Sequence, residues 1–261
     1  MSVRAALRGW LFRAVDEVVA RQRREQTDDL VAEFGRRLRC EADRIIGEVR
    51  DGEVRARRDT FAAAEREAVA STARFVQRAM PEAIHFPHPH ATLAHGLEIS
   101  PTGGLALEFG VFSGTTLKMI VASRNGGGVY GFDSFDGLPQ TWRTGFRAGA
   151  FDVDAQPEVP GAELVVGLFE DTLPGFLATH PGDVDLVHLD ADLFSSTATV
   201  LAHVGPRLRP GSVLVFDEYF NYPGWEDHEA RAWQEYATEH GVDFRYEAYT
   251  LDNEQVVVRL V

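Results

Sequence analysis

The sequence predicts an α/β fold: a doubly wound, mostly parallel sheet of seven strands that ends in an antiparallel strand and follows an N-terminal helical region. Three observations predict it. From residue 104 onward, short apolar runs alternate with helical segments. The first run, LALEF (105–109), breaks at once into Gly110 and Gly114 before a helix begins. Four of the runs end in acidic residues, Glu108, Asp133, Asp190 and Asp217. Such alternation gives right-handed βαβ units and a parallel sheet covered on both faces. The carboxyl ends of parallel strands share one edge, where open sheets bind ligands, and the class is therefore Rossmann-like.

Residues 2–80 read as helical nearly throughout, with no proline before Pro81 and an abundance of Arg, Glu and Ala. Leu30, Phe34, Leu38, Ile45 and Val49 recur at helical spacing with charges between them. Gln26-Thr27-Asp28 and Asp51-Gly52 are the expected breaks, giving two to four helices. Trp10, Leu11, Phe12, Val15, Val18 and Val19 form an apolar stripe that needs a partner, either the body of the protein or a second copy. The length and polarity of the segment favour a homo-oligomer. The domain boundary is placed at residue 80, with residues 81–261 as the body.

Residues 81–100 carry His85, His88, His90 and His95. His-Pro-His has no helical face and its spacing suits no zinc site, so a loop or short helix leading over the pocket is expected. After LALEF and its helix, the further strands are GVYGF (128–132), AELVVG (162–167), DVDLVHLD (183–190) and GSVLVFD (211–217). Helices follow the fourth and fifth strands near 195–208 and 227–240. FRYEAYTLD and EQVVVRLV, either side of Asn253, close the chain as a hairpin-like pair. The Gly- and Pro-rich insertion 136–161 is long enough to be functional, and its place at the carboxyl edge makes it a substrate-covering loop. Trp142, Arg143, Phe146 and Arg147 are its candidates for meeting an acceptor.

Composition excludes several classes. The net charge is −14, with 17 Arg against 14 acidic residues in 1–80 and 9 Lys+Arg against 26 acidic residues in 81–261. A body this acidic repels nucleic acid, whose binding rests on phosphate neutralisation. No apolar run approaches the ~20 residues that span a bilayer, and the N-terminus has no cleavage-site pattern, so no membrane partner and a cytoplasmic location are expected. Cys40 is the single cysteine, which excludes an internal disulfide.

The strand ends carry the chemistry. Bare backbone at Gly110 and Gly114 lets a ligand approach, and the following helix offers free N–H groups. Asp133 stands nineteen positions past Gly114, a spacing suited to the paired hydroxyls of a ribose. In GLFEDTLP (167–174), Phe169 gives a face for a flat base. Asp190, Asp192, Asp217 and Glu218 converge because neighbouring strands lie about 4.8 Å apart. Carboxylates forced together need a cation or shared protons, and oxygen-only ligands suit Mg²⁺.

The runs LEFGVFSG, GFDSFDGLP, VVGLFEDTLP, HLDADLFSST and VFDEYFNYPGW, in this order, resemble the class I S-adenosylmethionine-dependent methyltransferases, and among them the macrocin O-methyltransferase type that acts on sugar hydroxyls of natural products. The resemblance covers residues 100–261. It implies that Glu108, Gly110, Phe112, Ser113 and Gly114 lie along the methionine part of the cofactor, that Asp133 and Ser134 hold the ribose, and that Phe169 sits beside the adenine. It implies Mg²⁺ on Asp190, Asp217 and Glu218, with Asp190 also on the cofactor side and Glu218 standing where the family shows a second aspartate. Asp192 falls at the position of the general base, and His228 is an alternative base. The lysine of catechol-type relatives is absent, since Asp192-Leu193 stands there, so a sugar-containing small-molecule hydroxyl acceptor is expected. Two other readings use the same pocket: an NAD-dependent oxidoreductase, although the turn is not G-x-G-x-x-G, and a non-catalytic cofactor-binding oligomeric scaffold.

Overall fold

The computed structural model describes residues 3–124 and 127–261, with side chains from residue 14 onward except 24–26 and 28–29. Two compact units are present, Met1–Ala62 and Ala63–Val261. The first is essentially one helix, α1 (Val3–Arg58). It runs straight through Gln26-Thr27-Asp28 and Asp51-Gly52, where the sequence suggests breaks. A single helical Gly costs only about 1 kcal/mol, and the flanking turns carry i,i+3 and i,i+4 pairs: Arg36 and Arg37 on Glu33, Arg44 on Glu41 and Glu48, and Arg57 on Glu53. Val15, Val18, Leu30, Phe34, Leu38, Ile45 and Val49 are exposed along it. Trp10, Leu11 and Phe12 lie outside the described side chains. The break between helices falls at Asp59, whose carboxylate accepts from the Ala62 N–H as an N-terminal cap of α2 (Thr60–Ala79).

The second unit holds the sheet. Its strands are β1 (Ile84–Phe86), β2 (Leu105–Phe109), β3 (Val129–Asp133), β4 (Glu163–Val166), β5 (Val184–Leu189), β6 (Leu208–Phe216), β7 (Phe244–Thr250) and β8 (Val256–Leu260). They are arranged in the order β1-β7-β8-β6-β5-β2-β3-β4. β8 alone runs antiparallel, wedged between β6 and β7. The sheet therefore has eight strands rather than seven, the extra one being β1, which lies in the histidine-rich stretch read as loop or short helix. Three residues carry no periodicity of their own; edge pairing of Ile84–Phe86 with Ala248–Thr250 makes them a strand.

The helices α3 (Pro89–Ile99), α4 (Thr115–Ser123), α5 (Phe169–Thr179), α6 (Phe194–Val204) and α7 (Glu229–His240) cover both faces. Leu93, Leu97, Leu117 and Ile120 of α3 and α4 pack on Ala106, Leu186 and Val213. Leu173, Val200, Leu201 and Trp233 of α5–α7 pack on Leu107, Val187 and Leu214 from the other side. β5 is buried at all six residues, as a central parallel strand with helices on both faces must be. α2 belongs to this body: Phe75 packs edge-on against Trp225 and Tyr246, and Trp225 Nε1 donates to Ser71 Oγ at 2.9 Å. No helix of the described residues is long and apolar enough to cross a membrane.

Candidate active site

The turn after β2 is fixed by one carboxylate. Asp133 Oδ2 accepts from the N–H groups of Val111 and Phe112 at 2.8 and 2.9 Å, and its Oδ1 accepts from Phe135 N–H at 2.8 Å. A carboxylate offers about four lone-pair sites, so three are engaged in the turn and one is left for a ligand hydroxyl. Gly110 adopts φ +92°, and a Cβ there would collide with the Asp190 carbonyl. Phe112, not a glycine, is held at φ +46°, a strained conformation of the sort that gathers at functional sites. Gly114 does a different job: at the N-cap of α4, its missing side chain makes room for Val159 of the insertion, whose Cγ2 would lie 2.6 Å from a Cβ.

A cavity of about 490 Å³ lies over this edge. Gly110, Phe112, Asp133, Ser134 and Phe169 line it together with Asp190, Asp192 and Glu218. Phe169 stands edge-on to Phe109 at 5.3 Å, which fixes its ring. The insertion closes the cavity with Trp142, Arg143 and Phe146, whereas Arg147 is exposed and off the wall. Arg143 pairs with Glu254 at 2.9 Å, its guanidinium 4.0 Å from the Trp142 ring and 4.4 Å from the Tyr222 ring. Ser113 is bonded to Thr115 and, like Gly114, does not line the cavity.

Three carboxylates of the lining are gathered together. Asp190, Asp192 and Glu218 bring ligand oxygens within 4.8 Å of one another, and Glu218 Oε2 is buried without a partner. Burial and mutual repulsion push Asp190 and Glu218 well above the carboxylate range, and burial with the neighbouring Asp217 pushes Asp192 up to about 7 against the pull of Arg143. Asp192 also sits at φ +59°. Such a set suits a divalent cation, which would relieve the repulsion and satisfy the orphaned oxygen.

Asp217 stands apart from that trio. His188 Nε2 lies 3.7 Å from Asp217 Oδ1, and His188 Nδ1 bonds Glu108 Oε1 at 2.9 Å. Burial works against a charged imidazole, but the Asp217 and Glu108 carboxylates outweigh it and hold His188 well above its ordinary pKa; Asp217 is correspondingly lowered in spite of its own burial. Glu108, sealed at 0 % exposure, thus faces His188 rather than the cavity. Behind the cluster lies Glu229 of α7, fully buried and pushed by desolvation to about 8. It accepts from Ala191 N–H, Thr197 Oγ and Glu218 N–H, tying together the chain segments that carry Asp192 and Glu218. His228 does not line this cavity and packs against Trp142 and Tyr222, with burial lowering its pKa. Tyr219, Tyr222 and Trp225 belong to the core.

Neither His188 nor Glu229 stands out in the sequence. The one signal for His188 is a histidine within the mostly apolar strand VDLVHL, where a buried imidazole needs partners.

The fold and this edge define a class of protein, the Rossmann-like open α/β sheets with a ligand cavity at the carboxyl ends of the strands. Residues 107–219 match the family described as a methyltransferase domain. A curated relative, the tetracenomycin 4'-O-methyltransferase of Streptomyces olivaceus that acts on a dimethoxy-rhamnosyl derivative, is 42% identical over 53 residues, which is 20% of this chain and 19% of that protein. The match thus spans about a fifth of the curated relative's length. Among solved structures, the crystal structure of CalS11, a calicheamicin methyltransferase, superposes with a TM-score of 0.52 at 23% identity over 72% of this chain and 85% of its own. That likeness establishes the fold. The match to a methyltransferase domain lends nothing to the oxidoreductase reading.

Proposed function

We propose that this protein transfers a methyl group from S-adenosylmethionine to a hydroxyl of a sugar or glycosylated small molecule, with a divalent cation and a carboxylate base. The observation that supports it is the pairing, on one sheet edge, of an Asp133-fixed glycine turn with a buried carboxylate cluster short of cations. The curated relative's printed activity on a rhamnosyl group points to the same acceptor class.

In this reading Asp133 accepts from a ribose hydroxyl with its remaining lone pair, Ser134 stands beside it, and Phe169 covers the adenine. Gly110 and Phe112 shape the path of the methionine part. S-adenosylmethionine supplies a methyl already activated by a positive sulfur, so the protein's task is alignment and exclusion of water. Asp190 and Glu218 would hold Mg²⁺ beside Asp217, and the cation would supply acidification of an acceptor hydroxyl. Asp192, in the same cluster as Asp190 and Glu218, takes the hydroxyl proton on its carboxylate oxygen. Arg143 and Trp142 close the insertion over the reacting atoms. Cytoplasmic location follows as part of this reading, and the exposed aliphatic residues of α1 are where a second copy would pack.

The test is calorimetry with S-adenosylhomocysteine and with NAD, followed by mass spectrometry of a glycoside panel incubated with S-adenosylmethionine, with and without chelator. Binding of the first ligand and a one-methyl mass gain that chelation suppresses are expected. NAD binding in its place overturns the cofactor, and full turnover after exhaustive chelation removes the metal.

A further inference from the structure

Glu229 has no task in the proposed reaction and does not line the cavity, yet it is 0% exposed. A glutamate is almost never sealed in this way without partners. Where the sheet stops decides which partners it has. The ladder ends at Asp190, whose N–H donates to the Phe109 carbonyl, and at Asp217, whose N–H donates to the Leu189 carbonyl. The next N–H on each chain goes to Glu229: Ala191 N–H to Oε1 at 3.4 Å and Glu218 N–H to Oε2 at 3.2 Å. One side chain from the first turn of α7 thus takes the place of a neighbouring strand. Thr197 Oγ of α6 also donates to Oε1, at 3.4 Å.

The backbone held in this way is strained. Leu193 N–H donates to the Ala191 carbonyl, an i+2 to i bond that closes a γ-turn with Asp192 at its centre, at φ +59°. Such a turn is rare for a non-glycine residue, and strained backbone persists where its surroundings over-determine it. Oε1 of Glu229 pins the peptide that enters this turn, and Oε2 pins the peptide that enters Glu218. The side chains of Asp192 and Glu218 meet in the carboxylate cluster, with oxygens within 4.8 Å. A shift of either peptide therefore changes their separation.

Resting on the methyltransferase reading, we propose that Glu229 is a positioning residue: by accepting from both peptides at once it sets the separation and aim of Asp192 and Glu218, and it acts on the reaction through them. The task requires two acceptor atoms, one for each chain segment. A carboxyl group supplies both whether or not it carries a proton. An amide supplies one, and whichever way it is turned its N–H₂ meets a backbone N–H.

The test compares the full-length wild type with Glu229→Gln and with Glu229→Asp, which keeps the carboxyl but is one methylene too short to reach both peptides. Electron paramagnetic resonance reads Mn²⁺ affinity, calorimetry reads S-adenosylhomocysteine affinity, and steady-state kinetics on a methylated glycoside read kcat and KM. Both variants should bind Mn²⁺ about tenfold more weakly and lose about a hundredfold in kcat. Affinity for S-adenosylhomocysteine should be unchanged, because Asp133 and Phe169 belong to β3 and α5. Thr197→Val removes the third donor alone and should change each quantity by about twofold at most. A Glu229 that serves folding alone would lower the melting temperature and leave Mn²⁺ affinity and kcat per folded molecule intact. That outcome overturns the proposal, as does failure of both variants to fold, or an equal loss from Thr197→Val. Wild type that binds no S-adenosylhomocysteine strikes the methyltransferase reading, and the proposal falls with it. Wild type that turns over without Mn²⁺ strikes the cation alone, and kcat then decides.

Discussion

The two ends of strand β5 hold buried carboxylates in opposite circumstances. At the amino end, Asp185 is 0% exposed and fully partnered: Arg209 reaches its Oδ1 at 2.6 Å, Arg124 lies 3.8 Å from its Oδ2, and Gly104 N–H donates to that same oxygen. At the carboxyl end, Asp190, Asp192 and Glu218 crowd together, leaving Glu218 Oε2 orphaned, with Arg143 the guanidinium that acts on Asp192. A buried charge that is paired contributes to the native state, whereas unpaired ones are tolerated where a ligand or a reaction uses them. In the proposed reading, one carboxylate at the amino end of this strand serves folding and those beyond its carboxyl end serve chemistry.

The largest expected effect comes from the chemical end. Asp192→Asn keeps the volume and removes the proposed base, so kcat should fall about a thousandfold while affinity for S-adenosylhomocysteine stays as in the wild type. Steady-state kinetics and calorimetry on the same preparation decide it. Unchanged turnover would remove Asp192 from the role, and loss of cofactor binding would make it structural.

Asp185→Ala should do the reverse. Arg209 is partly exposed and recovers its hydration, but Arg124 has a side-chain exposure of 4% and is left without its countercharge. A stability loss of about 3 kcal/mol is expected in urea denaturation, with kcat per folded molecule unaffected. Should activity fall and stability hold, the contrast between the two ends would be lost.

Much of this edge was legible in the sequence because a parallel strand announces itself as an apolar run and its carboxyl end follows directly. Gly110, Phe112, Asp133, Ser134, Phe169, Asp190, Asp192 and Glu218 all line one cavity for that reason. What the pattern hid were groups whose meaning comes from their neighbours. Glu108 sits at a strand end but is turned inward to His188, and the 3.6-residue period of α7 gives no hint that Glu229 holds the backbone of Ala191 and Glu218. Gly114 reads as part of a ligand turn and instead accommodates Val159, a contact made across forty-five positions of chain. Nothing in the run of aromatic residues after β6 shows which neighbours they meet; Ser71 and Phe75 on α2 hold Trp225 and Tyr219 in the core.

A smaller effect is expected from pH. Asp192 is raised from 3.8 to about 7 and Glu229 from 4.5 to about 8, and Asp190 and Glu218 are raised as well. A carboxyl whose folded pKa exceeds its unfolded value binds more protons folded than unfolded, so its contribution is present below the unfolded pKa and lost as pH rises through the folded one. Buried Glu108 and half-buried Glu254 are raised too, whereas Asp217, lowered by His188, and the exposed Glu33 and Glu41, lowered by their arginines, work the other way. Without metal, the melting temperature should therefore fall by several degrees between about pH 5 and about pH 8. Added Mg²⁺ should restore it at the upper pH and do little at the lower. Calorimetric scans in matched buffers measure both, and a metal effect equal at the two pH values would place the ion elsewhere.

Glu218→Gln gives the smallest and most discriminating change. Glutamine keeps the length of the side chain and can still accept with its amide oxygen, but it removes one negative charge from the group that includes Asp190 and Asp192. If that group is held for a cation, the metal-free variant should melt about 2–4 °C above the wild type at about pH 8, the shift from relieving roughly 1 kcal/mol of repulsion in a chain of this size. Because burial and its acidic neighbours raise the Glu218 carboxyl, the wild type takes up that proton as pH falls, and the difference between the two proteins should shrink towards about pH 5. Mg²⁺ should then stabilise the variant less than the wild type. A variant that is destabilised equally at both pH values would show Glu218 to be a structural partner of the kind Asp185 is, because a group that serves folding is missed whatever the protonation of its neighbours.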